Sequence, residues 1–239
     1  MDELKDIKVE NNRSLIMCGD VHGKFRELVW KVTNQYDLRN ADIVVLGDFG
    51  VGFDMSIRYD YQRVEKKLDK YDIQFYVMRG NHDDPSWFTG ERPESSEFKR
   101  ITFLQDHKVY NICGRDIYVI GGGGSTDIEM RTPGKDWWEG EYIKEIPMRD
   151  LPKKVDIIIS HEAPLTFEPV LTRFPETPEE QYENILSGRD FLWSVLQETR
   201  CDYWFYGHYH RHYSGSYGNV MYRCLGELEL FEVIKKDGV

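Results

Sequence analysis

Gly19-Asp20-Val21-His22-Gly23 follows directly on the apolar run Leu15-Ile16-Met17-Cys18. An apolar run this short, closed by glycine, reads as a buried strand ending in a tight turn. The turn carries a carboxylate and an imidazole two positions apart, a pairing that suits a hard-to-borderline divalent cation. The same grammar recurs four times. Asp42-Ile43-Val44-Val45-Leu46 runs into Gly47-Asp48, and Ile73-Gln74-Phe75-Tyr76-Val77-Met78 into Arg79-Gly80-Asn81-His82-Asp83. Val155-Asp156-Ile157-Ile158-Ile159 runs into Ser160-His161-Glu162, and Asp202-Tyr203-Trp204-Phe205-Tyr206 into Gly207-His208-Tyr209-His210. Five strand ends, each bearing Asp, Asn or His, predict one metal site at one edge of a sheet.

Between the motifs, helices alternate with strands. Phe25, Leu28, Val29, Val32 and Tyr36 recur at three- and four-residue steps, as do Tyr61, Val64, Leu68 and Tyr71. Each set predicts an amphipathic helix. Residues 1–13 are polar and read as an edge strand or a loose end. In the loop Phe49-Gly50-Val51-Gly52-Phe53, the glycines let backbone approach the site. Asp84 to Arg100 reads as an exposed excursion, and residues 125–150 and 162–178 as two more irregular insertions. Short strands are expected at Ile101–Leu104, Val109–Ile112, Asp116–Ile120, Val220–Leu225 and Glu229–Ile234, with a helix at Arg189–Thr199. The order β-α-β-α-β followed by a β-rich half predicts two sheets packed face to face with helices outside. In open α/β sheets the ligand sits at the carboxyl ends of the strands, where all five motifs lie. At 239 residues the chain suits one sizeable core. No repeat or linker marks a boundary, so residues 1–239 are read as a single domain.

Lys+Arg 31 against Asp+Glu 42 gives a net charge of −11. An acidic surface disfavours broad nucleic-acid or membrane-surface binding, although two divalent cations would make a cleft locally positive. No run approaches the roughly 20 apolar residues of a membrane span. The charged stretch Met1 to Glu10 lacks the apolar core of a signal peptide. Cys18, Cys113, Cys201 and Cys224 are scattered and read as free thiols, mostly buried, in a reducing compartment. A cytoplasmic protein without a membrane partner is expected.

Asp20, His22, Asp48, Asn81, His161, His208 and His210 form a mixed O/N set of seven, more than one tetrahedral ion needs and suited to two. Five of the seven histidines fall at strand ends beside Gly and Asp or Asn. Single features read more plainly. His107 is a satisfied structural residue, Cys18 packs in its strand, and His212 is exposed and noncatalytic. Gly121 to Gly124 read as a flexible turn. Trp137-Trp138 cover core under a loop at least as readily as they stack on a nucleobase or aryl group.

Taken in order, the five motifs resemble those of the calcineurin-like metallophosphoesterases, and the resemblance spans residues 15–210. The compact bacterial and phage members are most similar, through the stretches Arg131 to Trp138 and Trp204 to His210. The resemblance implies a four-layer α/β/β/α sandwich of two mixed sheets and a two-metal centre. Asp20, His22 and His210 would hold one ion, Asn81, His161 and His208 the other, with Asp48 bridging. Manganese comes first among the candidate ions, with iron, zinc, cobalt and nickel behind it. A hydroxide bridging the ions would attack phosphorus. His82 would bind a phosphate oxygen and protonate the leaving oxygen, with Asp83 or Asp20 orienting it. The second motif lacks the Asp-Arg-Gly of the protein phosphatase branch, and no Glu follows Asn81-His82. Protein phosphatase activity is therefore disfavoured and the phosphate clamp is left open, with Arg79 and Arg131 as candidates.

The expected substrate is a nucleotide or another small phosphoester, with phosphodiesterase activity slightly ahead of monoesterase activity. A scaffold of the same fold that has lost its chemistry is the alternative class. A nuclease ranks lower, because Lys and Arg form no track with interleaved aromatics. The sequence leaves oligomeric state open.

Overall fold

In β1 (Ser14–Cys18) successive side chains leave on opposite faces: Ile16 and Cys18 pack on one side, Leu15 and Met17 on the other. The same split runs through β2 (Ala41–Val45) and β3 (Ile73–Val77). Strands apolar on both faces must be covered on both. The chain is described here by a computed structural model covering residues 13–52, 57–92, 97–169 and 178–233, the side chains of 57–60 and 62 excepted. The expectations for residues 1–12, Phe53 and Ile234, and for the stretches 93–96 and 170–177 of two insertions, lie outside them.

β1, β2, β3 and β4 (Ile101–Phe103) run parallel, and β11 (Leu230–Val233) pairs antiparallel with β1. This gives a five-stranded sheet of order β11-β1-β2-β3-β4. The second sheet uses β5 (Val109–Ile112), β6 (Arg115–Ile120), β7 (Ile157–Ser160), β8 (Tyr203–Tyr206), β9 (Tyr213–Tyr217) and β10 (Val220–Cys224). Its order is β5-β6-β7-β8-β10-β9, with β6, β7, β8 and β10 parallel and the two edge strands antiparallel.

The sheets meet over one apolar layer. Leu15, Met17, Val44, Leu46 and Met78 contribute from the first, Ile117, Val119, Ile157, Ile159 and Phe205 from the second. Helices α1 (Phe25–Trp30) and α2 (Ile57–Tyr71) cover the outer face of the first sheet through Phe25, Leu28, Val29, Tyr61, Val64 and Leu68. Helix α3 (Glu179–Glu198) covers the second through Phe191, Leu192, Val195 and Leu196. The α/β/β/α order and the two mixed sheets are those expected.

Several local expectations need correction. The first helix is regular only to Trp30 and continues as a wider π-helical stretch, Lys31–Gln35. There the Tyr36 N–H donates to the Lys31 carbonyl, five residues back, at 3.0 Å. The wider turn carries Tyr36 off the apolar stripe, and it is exposed. The third helix starts at Glu179, ten residues before Arg189. Its first half contains buried Gln181 and Gly188, so the apolar period is thin there; Pro178 precedes it and two acidic residues occupy its first turn, as helix starts favour. Strand β9, Tyr-Ser-Gly-Ser-Tyr, has no apolar alternation and is held by its ladder to β10. The excursion after Asp84 is not wholly exposed: Trp87 and Phe88 are buried against the helix-side core, beside Phe103.

Ile159 is fully buried between the sheets. Ile159→Ala is expected to cost about 2–5 kcal/mol, read as a lower urea midpoint at unchanged m-value; a midpoint shift corresponding to under about 1 kcal/mol would mean that this layer is loosely packed.

Candidate metal centre

All five motif strands end at the same edge of the double sheet, and their turns converge there. Two groups of side chains result. Asp20, His22, Asp48 and His210 bring ligand atoms within 4.8 Å of one another, as do Asp48, His161 and His208. Asp48 belongs to both. Asn81 joins the second group: its Oδ1 lies 2.9 Å from His161 Nε2 and 3.0 Å from His208 Nδ1. In the first group His210 Nε2 stands 3.1 Å from Asp20 Oδ2 and 2.8 Å from His22 Nε2. The seven side chains expected to act together are therefore adjacent.

The backbone is bent to make this possible. His22, Asp48, His208 and His210 have φ of 49°, 47°, 72° and 51°, in the left-handed region where non-glycine residues are uncommon and cost roughly 1–3 kcal/mol each. The motif glycines supply room. A Cβ on Gly80 would lie 2.1 Å from Asp48 Oδ1, and one on Gly207 would lie 2.3 Å from Asp20 Oδ1.

Hydrogen bonds fix each donor. The His161 Nδ1–H donates to the Leu46 carbonyl at 2.7 Å, which leaves Nε2 facing Asp48 Oδ1 at 3.2 Å. Asp20 accepts from the His208 backbone N–H at 3.0 Å, tying the first motif to the fifth. Asp48 Oδ1 accepts from the His82 backbone N–H at 2.8 Å.

Burial disfavours charge on Asp48, but His161, His82 and His22 outweigh it and hold its carboxyl well below the usual range. Burial likewise opposes an imidazolium at His161, yet Asp48, Asp20 and the Leu46 carbonyl lift its pKa to about 10. Burial lowers His208. The bond to Asp20 raises His210. A proton on His161 thus does for Asp48 and Asn81 what a cation would do. His22 Nε2 and His210 Nε2 face each other with room for a single proton between them. Two buried carboxylates, an amide oxygen and converging imidazole nitrogens are the donor set of divalent cations, and the residues fit them.

The remaining candidates separate. Arg131 reaches the site: Nη1 and Nη2 lie 3.0 and 2.8 Å from His82 Nδ1 and Nε2, and Asp127 Oδ1 holds Nη2 at 2.6 Å. Burial lowers His82 to about 4; Asp48 opposes this and Arg131 reinforces it. Arg79 is not brought to the cluster. It is buried and donates to Asp106 at 2.9 Å and to the carbonyls of Gly121, Gly140, Glu141 and Tyr142. Asp83 is buried, and the four hydrogen bonds its carboxylate accepts come from the backbone N–H groups of Phe49, Gly50, Val51 and Gly80. It clamps the second motif loop to the third. Burial and then the charge of Asp48 raise its pKa to about 6. Asp83 thus holds two motif loops together, as Asp20 ties the first motif to the fifth.

A cavity of about 610 Å³ opens over the cluster, lined by His22, Asp48, Asn81, His82, His208 and His210 and by Arg131, Arg189, Ile185 and Tyr213 among others. Trp137 and Trp138 are half-buried and do not line it. His107 is a structural residue, bonded to Tyr118 and the Lys144 carbonyl, and His212 is exposed beside Glu229. Sequence reasoning missed Glu162, buried 3.6 Å from His208 Nε2 and bonded to the Tyr209 hydroxyl, although it directly follows His161. It also missed Ser125, which accepts from Asn81 Nδ2 at 2.9 Å. The four cysteines are free, three of them buried. No helix among the described residues is long and apolar enough to cross a membrane.

A family model described as calcineurin-like phosphoesterase matches residues 14–212, and the chain belongs to that family. No curated protein matches the sequence significantly. Among solved structures, phosphopantetheinyl hydrolase (PptH) from Mycobacterium tuberculosis is similar at TM-score 0.52 and 14% identity, covering 95% of this chain and 98% of that one. TT1561 of Thermus thermophilus is similar at TM-score 0.52 and 14% identity, covering 90% of each chain. At such identity these likenesses speak for the fold alone.

Cation binding requires a neutral imidazole, so loading at pH 8 must expel the His161 proton. Calorimetry of Mn²⁺ binding to chelator-treated protein in buffers of different ionisation enthalpy is expected to show release of about one proton. Binding heat independent of the buffer would show His161 already neutral.

Proposed function

We propose that this member of the calcineurin-like phosphoesterases is a two-cation hydrolase of a small phosphoester, a nucleotide or similar, with diesters ahead of monoesters. The observation that carries the reading is the Asp48 carboxylate common to both ligand groups, with His82 and Arg131 in contact in the cavity lining. Asp20, His22, Asp48 and His210 would hold one cation, and Asp48, Asn81, His161 and His208 the other. Such a pair polarises a phosphoryl group and lowers the pKa of water to make a nucleophile available at neutral pH.

The side chains around the cluster supply the rest. Arg131 offers a planar fork of N–H donors to phosphoryl oxygens, and Asp127 holds that fork in place. His82 is neutral at pH 7 in the free site, able to donate one N–H. A phosphoryl anion seated beside His82 and Arg131 raises the imidazole pKa, the direction a proton donor to the leaving oxygen requires. Asp83 keeps the loops bearing Asp48 and His82 in register. The cavity has room beyond one phosphate, and Ile185, Pro169 and Tyr213 give the organic part apolar walls. That room supports the preference for a diester.

The test is a panel of p-nitrophenyl phosphate, its bis-ester and cyclic nucleotides, assayed with Mn²⁺ and other divalent ions. Turnover of at least one is expected, with loss of cation and activity in Asp48→Asn. A protein that binds no divalent ion and turns over none of the panel would overturn the reading; a scaffold would keep its partner in Asp48→Asn. His82→Ala is expected to keep its cations and slow kcat by about 10²–10⁴. Arg131→Ala is expected to raise KM with cation content unchanged, and an unchanged KM would remove Arg131 from the substrate site.

A further inference from the structure

Behind Asn81 runs a buried chain of hydrogen bonds that no motif contains. Asn81 Nδ2 donates to Ser125 Oγ at 2.9 Å, and Ser125 Oγ lies 2.7 Å from Glu141 Oε2. The Ser125 backbone N–H donates to Glu141 Oε1 at 2.8 Å. Ser125 and Glu141 are 2% and 0% exposed. Both come from the excursion between β6 and β7, read from sequence as an irregular insertion.

Chemistry sets the direction of the chain. An amide NH₂ only donates, so the Ser125 hydroxyl accepts from it and gives its own proton to Glu141. With Nδ2 committed, Asn81 has one orientation, and its Oδ1 faces His161 and His208. Donation into a chain that ends on a carboxylate also makes the amide oxygen more negative. The charge balance points the same way. The first ligand group contains two carboxylates, Asp20 and Asp48, whereas the second has Asp48 as its one carboxylate ligand, beside the Asn81 amide and the His161 and His208 imidazoles, with Glu162 reaching only the far side of His208 at 3.6 Å. Glu141 is itself fixed, because its carbonyl accepts from Arg79 Nη1 at 2.8 Å and from the Gly123 N–H at 3.0 Å.

We propose that Glu141, acting through Ser125, is the positioning residue of the second cation site: it locks the Asn81 amide in the ligand orientation and lends that site negative charge its inner residues lack. This rests on the two-cation reading above. Outer partners of metal ligands typically carry about 10–100-fold in affinity.

The experiment is Mn²⁺ titration of the full chain by calorimetry and by electron paramagnetic resonance, which separates a spin-coupled pair from an isolated ion. Wild type is expected to bind two ions as a coupled pair. Ser125→Ala is expected to keep one at wild-type affinity while the other weakens about 10–100-fold, with an isolated-ion spectrum at intermediate loading. Ser125→Thr, which keeps the hydroxyl, should restore the pair. Glu141→Gln, nearly isosteric, should weaken the same ion and serves if the alanine variant does not fold. Two ions at wild-type affinity in Ser125→Ala or Glu141→Gln would overturn the proposal and leave the two-cation reading standing, as would equal weakening of both ions. A wild-type protein that binds no Mn²⁺ would overturn both.

Discussion

The molecule is organised around one buried carboxylate. Asp48 is 1% exposed at the seam where the two sheets' strand ends meet. An isolated charge there would be prohibitive, and it persists only because imidazoles and an N–H surround it. Its neighbours come from both sheets: His22 and His82 follow strands of the first, His161 a strand of the second. Each ligand group likewise mixes the sheets, so neither half of the fold contains a complete site. The apolar layer between the sheets sets their relative register and therefore the distances among the ligand atoms.

Around the cluster lies a set of buried polar braces that belong to neither ligand group. Asp83 joins the second and third motif loops through four backbone N–H groups. Arg79 gathers four carbonyls and Asp106, pinning the excursion after β6 to the third motif. Arg189 does the same for the loop after β7, donating to the carbonyls of Pro164, Phe167 and Pro169. Long connections that lack regular ladders need such partners for their backbone groups.

The strands and the ligand set were legible because each motif is local: a short apolar run, then a glycine, then a donor. Periodicity also placed α2 and the first turns of α1. What stayed hidden depends on distant partners. Arg79 and Arg131 look alike in sequence, and only the fold commits one to carbonyls and sets the other against His82. Ser125 and Glu141 sit in a stretch with no period, and their meaning appears only when that excursion folds back over Asn81. The start of α3 and all of β9 escaped because tertiary contacts and a ladder hold them, not an apolar stripe.

The left-handed backbone at His22, Asp48, His208 and His210 has a consequence for the history of such a chain. A position held at positive φ tolerates glycine, asparagine, aspartate and histidine far better than branched or bulky residues. Three of those four carry a metal-ligating atom. Conformation alone thus filters drift at these sites toward side chains that still coordinate, so the fold narrows its own mutational options in favour of the chemistry it houses.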